Sequence, residues 1–112
     1  MNPNLTKAQR RQLRELGGLA YERDLSEQLT ALESEFKRWR AGEVDAFVLA
    51  EAIHRFHQGP ARELFSKYGT SHIDFAVANA IHRGVLKREE VGDEVLEILA
   101  THIGVLRQQD ER

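Results

Sequence analysis

The chain has 112 residues, of which 41% are hydrophobic and 30% charged, with 16 basic against 18 acidic side chains and a net charge of −2. That length supports one folded domain able to bury roughly two-thirds of the surface of its unfolded form, and the balanced charge removes the domain-wide positive field of a nucleic-acid binder. The absence of cysteine excludes a disulfide framework, a thiolate zinc site and a thiol nucleophile.

The first residues lack the apolar core of a signal peptide, and no apolar run approaches the ~18 residues of a membrane span. A soluble, cytoplasmic protein with no membrane contact is the expectation. Residues 1–112 read as one helical domain, with 1–5 and 108–112 expected to fray.

Thr6 and Gln9 form a capping-box pattern, so a helix is predicted to begin near Lys7. Lys7, Arg10, Arg11 and Arg14 make its first turns basic, a local patch for nucleic acid or an acidic partner whose commoner role is a solvated face. Leu13, Leu16 and Ala20 share one side. From Tyr21 the apolar stripe passes to Tyr21, Leu25, Leu29, Leu32, Phe36 and Trp39, in steps of three and four. At ~100° per residue the two stripes lie nearly opposite. The switch falls at Gly17-Gly18, where helix propensity is poorest, so a break or kink is predicted there. The second stripe is a short heptad seam with charged flanks, suited to internal packing or to a dimer interface, and a symmetric partner is the favoured reading.

Gly42 fits a helix-terminating position, and Asp45 fits the cap of a helix over 46–58. Gly59-Pro60 is predicted to stop that helix, with Pro60 opening a short one to Tyr68 and Gly69 closing it. Thr70 or Ser71 opens the next, with Ser71 and Asp74 as a shortened capping box. The segment 72–83 carries apolar residues on two sides and belongs at the centre of a bundle. Gly84 ends it, 85–91 is a connector with room for one turn of helix, and Asp93 starts a last, broadly apolar helix. No segment alternates with period two. The predicted fold is all-α: an irregular, partly orthogonal bundle of five or six helices with a kinked N-terminal helical segment.

Glu51 and His54 match the Glu-x-x-His spacing with which bundles hold iron or manganese, because residues three apart on a helix point the same way and share one ion. His57 extends the set toward a zinc-type site, with His82 and His102 as further candidate ligands. A full di-metal site needs a second motif, which a symmetric dimer would supply, and an exposed polar pair is the commoner meaning of one Glu-x-x-His. Glycine-rich phosphate loops, nucleophile elbows and His-Glu-x-x-His are absent. A helix-turn-helix around Gly84 fails, since Arg83 occupies a position that should be buried and the following helix is acidic.

The leading expectation is therefore a small helical interaction or adaptor protein that self-associates as a homodimer, or binds a protein partner, through the Tyr21 to Trp39 seam. It needs no cofactor and has no catalytic activity. The alternative is a bundle binding a divalent metal through Glu51, His54 and His57, across a dimer interface. A regulator using Lys7, Arg10, Arg11 and Arg14 ranks third.

Overall fold

One helix of 34 residues, α1 (Lys7–Arg40), sets the length of the molecule. At 1.5 Å per residue it spans about 51 Å, against a longest dimension of 55 Å. The computed structural model describes residues 5–69 and 72–111. The capping box forms as predicted: Gln9 N–H donates to Thr6 Oγ1 (3.0 Å), and Thr6 N–H donates to Gln9 Oε1 (2.9 Å). At the far end Gly42 takes φ 77°. There Gly42 N–H bonds Trp39 O and Glu43 N–H bonds Arg38 O, the paired carbonyl capping that a left-handed residue permits.

The break expected at Gly17-Gly18 does not occur, because α1 runs unbroken through it. A Cβ on Gly17 would stand 2.4 Å from Ile73 Cδ1 and 2.9 Å from Ile73 Cγ1, whereas one on Gly18 would meet nothing within 4 Å. Gly17 is the point where a second helix approaches the backbone of α1, and that packing offsets the low helix propensity. The apolar stripe changes side because the two halves of α1 have different neighbours.

α2 (Ala46–Phe56) starts on Asp45, whose Oδ1 accepts from Val48 N–H at 2.9 Å, and folds back along α1. Gly59-Pro60 does not stop it. A π-helical turn over His57–Ala61 carries the chain directly into α3 (Arg62–Tyr68). Proline lacks the N–H of the α-helical ladder and its ring crowds the carbonyl four residues back, and the wider π turn relieves both constraints.

α4 (Ile73–His82) is the central helix the sequence predicts. Ala76, Val77, Ala78, Ala80 and Ile81 are buried, and it packs against α1 and the last helix. The capping expected from Thr70 or Ser71 lies outside the described residues. Gly84, at φ 79°, ends the segment. α5 (Arg88–Val91) is the one-turn connector, and α6 (Asp93–Ile98) and α7 (Ala100–Asp110) replace the single last helix expected. They are offset at Leu99, which lies fully buried at φ −94°, ψ 4°. With Val95, Leu99 and Ile103 all buried, the offset keeps both halves facing one core.

Of the termini expected to fray, residues 1–4 and 112 lie outside the described residues. Leu5 is buried in the core, and α7 continues to Asp110. The described residues contain no strand, and counting α2, the π turn and α3 as one rod leaves six helical rods, the irregular all-α bundle expected.

The core occupies one half of the molecule. Leu13, Leu16 and Ala20 of α1 meet α4 together with Leu86, Val91, Val95, Leu99, Ile103 and Leu106. The rest of α1 and α2 form a two-helix arm beside this body. Its projection accounts for a radius of gyration of 17.4 Å, where a compact chain of this length has about 13 Å.

Candidate interaction surface

The arm carries little core of its own. Leu49 is the buried residue of α2. The seam divides along its length. Tyr21 belongs to the body, where its ring stacks on Tyr68 at 5.3 Å and 9° between planes. Leu25 and Leu32 are half-buried. Leu29 is 46% exposed, and Phe36 and Trp39 37% each. Across the arm Phe47 is 84% exposed, with Val48 and Ile53 also open. Scattered exposed leucines are ordinary, whereas here several large apolar side chains stand open on one projection.

A shallow groove of about 520 Å³ runs between the two helices, with Leu32, Val48, Ala52 and Phe56 among its walls and Glu35, Arg38 and Arg55 at its edges. Pairs along the helices set the charge pattern: Glu33 with Lys37 at 3.7 Å, Glu51 with Arg55 at 3.3 Å, and Arg38 with Glu35 at 3.0 Å. Such exposed pairs are worth little in stability and leave the rim of the arm polar.

Among the described residues no three His, Asp or Glu side chains gather to hold a metal ion. Glu51, His54 and His57 are exposed, with Glu51 engaged by Arg55. His57 stands at the start of the π turn and lines a cleft with Tyr21, Ala61 and Phe65. His82 and His102 lie elsewhere, at the contact of α4 with α7. His82 Nε2 meets Asp110 Oδ2, and His102 Nε2 is 3.6 Å from buried Asp74. The His102 ring stands edge-on to Phe75, and its Nδ1 is buried without a hydrogen-bond partner.

Of the basic patch, Lys7, Arg11 and Arg14 are exposed, with Arg11 3.9 Å from Glu15. Arg10 turns inward to donate to Leu5 O at 3.1 Å. The cluster is thereby reduced to three exposed cations.

Sequence reasoning missed the polar junction beneath the arm. Asp24, on α1, is buried and accepts from Tyr68 Oη at 2.6 Å and from Arg83 Nη2 and Nη1 at 2.9 and 3.2 Å. Arg83 Nε (2.7 Å) and Lys67 Nζ (2.6 Å) both donate to Asn79 Oδ1. Burial alone would raise the Asp24 carboxyl, but the donors from Arg83 and Tyr68 outweigh it and hold the group below its usual range. Burial pushes the Tyr68 hydroxyl up, and Asp24 adds to that; burial and Arg83 pull the Lys67 ammonium down. The signal was present: Leu13, Gly17, Ala20 and Asp24 follow one another in steps of four, three and four, so Asp24 prolongs a buried stripe and needs a cation from elsewhere. Lys67 and Asn79 also border a cleft of about 520 Å³ with His72, Phe75 and Ala76.

A second junction ties α1 to the connector. Arg23 grips the Glu90 carboxylate with both terminal nitrogens and also donates to Val85 O at 2.8 Å. The Arg23 guanidinium, helped by the Lys87 N–H, holds Glu90 down at about 2. These two junctions anchor the root of the arm, and no described helix is long and apolar enough to cross a membrane. Compared with known proteins, the chain matches no family model, none of the curated proteins and none of the solved structures.

Proposed function

We propose that this protein works by macromolecular association, with the α1–α2 arm as its contact surface and no chemistry of its own. The observation that carries the reading is the partition of apolar side chains. The body seals most of its own into one core and leaves Leu19, Phe65, Phe75 and Val105 open, while the arm, with little core, leaves Leu29, Phe36, Trp39, Phe47, Val48 and Ile53 open. Covering them gains roughly 25 cal/mol per Å² of apolar surface removed from water. The two ion-paired junctions at Asp24 and Arg23 hold the root of the arm, so the surface is presented in one orientation and little ordering cost remains for binding.

The test is the double substitution Leu29→Glu, Leu32→Glu, followed by native mass spectrometry and circular dichroism. Association through the arm predicts a lower oligomeric mass, or loss of a bound partner, with helicity kept. Unchanged mass and retained partner binding would remove the arm from consideration. The same spectra read bound metal, and stoichiometric metal that disappears in Glu51→Ala or His54→Ala would favour a metal-binding bundle instead.

A further inference from the structure

The inner four residues of the seam are symmetric about their own middle, while its ends, Tyr21 and Trp39, are not. Leu25, Leu29, Leu32 and Phe36 follow one another in steps of four, three and four, so the spacing reads the same from either end, with its centre between Thr30 and Ala31. Resting on the association reading above, we infer that the occupant of this surface is a second copy of the chain, its α1 lying antiparallel to the first across a two-fold axis at Thr30-Ala31. Leu29 then meets the partner's Leu32, and Leu25 meets the partner's Phe36. These are the mixed layers of an antiparallel pair, whereas a parallel pair sets each residue against itself. The contact is isologous and closes as a dimer.

Charge favours the same direction. Three residues before Leu25, next to the seam residue Tyr21, stands Glu22, which is exposed. A parallel pair would place Glu22 against Glu22. The antiparallel pair places it level with the partner's Trp39, beside Arg40, which lies 5.5 Å from the Trp39 ring, while Lys37 and Arg38 at the same end are already paired with Glu33 and Glu35. Bulk points the same way, since a parallel pair would bring both bodies to one end, while the antiparallel pair sets them at opposite ends.

The arrangement also accounts for the two most exposed phenylalanines. Phe47 lies at the tip of the arm, at the start of α2. Phe65 lies on the body, where it lines a cleft of about 400 Å³ together with Tyr21 and His57. With the axis at Thr30-Ala31, position 40 of one copy comes level with position 21 of the other. Each arm tip thereby reaches the partner's Tyr21 cleft, and Phe47 and Phe65 approach one another across the dimer.

The chain has no cysteine, so each introduced thiol is the sole one. Chains carrying Leu25→Cys and Phe36→Cys, one of them isotope-labelled, are mixed in equal amounts and mildly oxidised. The expected product is a disulfide joining one copy of each variant; disulfides joining like with like overturn the inference. As a second measurement, spin labels at Thr30 and at Arg40 in cysteine variants give intermolecular distances. The expected result is a short distance at Thr30 and a separation of roughly 30 Å along the axis at Arg40, from the rise per residue. Equal short distances at both sites overturn the antiparallel pairing. A wild-type chain that stays monomeric while its arm binds a different protein overturns this inference and leaves the association reading standing. A dimer whose mass survives Leu29→Glu, Leu32→Glu overturns both.

Discussion

Arg83, on α4, closes on the buried carboxylate of Asp24, on α1, through two hydrogen bonds, with Tyr68 Oη as the third donor to the same carboxylate. Asp24 is nearly inaccessible while Arg83 is about one-third open, so the cost of burying this charge falls mainly on the acid. Asp24→Ala strips the partner from a tyrosine hydroxyl and a guanidinium at once and is expected to destabilise the fold by about 2–4 kcal/mol. Asp24→Asn, which still accepts a hydrogen bond, loses less. Urea unfolding followed by circular dichroism orders the two variants, and equal midpoints for wild type and Asp24→Ala would show that the junction contributes nothing.

The glycine pair in α1 predicts opposite signs at adjacent positions. Gly18→Ala meets open space and gains helix propensity, so it should stabilise by about 0.5–1 kcal/mol. Gly17→Ala gains the same propensity but drives its Cβ into Ile73, and overpacking of this kind costs about 1–3 kcal/mol. A net loss at Gly17 beside a net gain at Gly18, read from thermal midpoints, is the expected pattern.

Acid weakens the fold through carboxylates whose folded-state values are depressed. Glu90, at about 2, and Asp24, also lowered, contribute stability that is present above the ordinary carboxylate range near pH 4 and is lost as pH falls through their folded values. Stability should therefore drop between roughly pH 4 and pH 2. Glu90→Gln removes one of these groups and should flatten that part of the curve while lowering stability at neutral pH. Urea midpoints across the range test it, and an unchanged acid slope in the variant counts against the Arg23–Glu90 pair as its source.

The pairing proposed above would make thermal stability depend on concentration, because mass action favours a dimer over unfolded chains. The melting temperature of the wild type should rise over a hundredfold increase in protein. Leu29→Glu should melt at the same temperature throughout, because its side chain stands on the open arm and outside the core. A flat wild-type profile would speak against a dimer.

Features that depend on a few neighbouring residues were legible before folding. Thr6 with Gln9, Asp45, Gly42 and Gly84 placed helix ends through their own side-chain or backbone chemistry, and periodicity marked α4 as the central helix and Tyr21 to Trp39 as one apolar stripe, of which Tyr21 joins the body. Tertiary packing decided the features whose local preference is weak or reversed. Gly17 stays helical because Ile73 packs on it, Pro60 is carried through a π turn, and Asp24 finds Arg83 across 59 residues of chain. It also decided which apolar faces are covered. Leu13 and Leu29 look alike in sequence, yet one is sealed beneath neighbouring helices and the other stands in water. The physical reason is range: caps and helical periodicity act within a turn or two, whereas burial and ion pairing depend on which segments three-dimensional packing brings together.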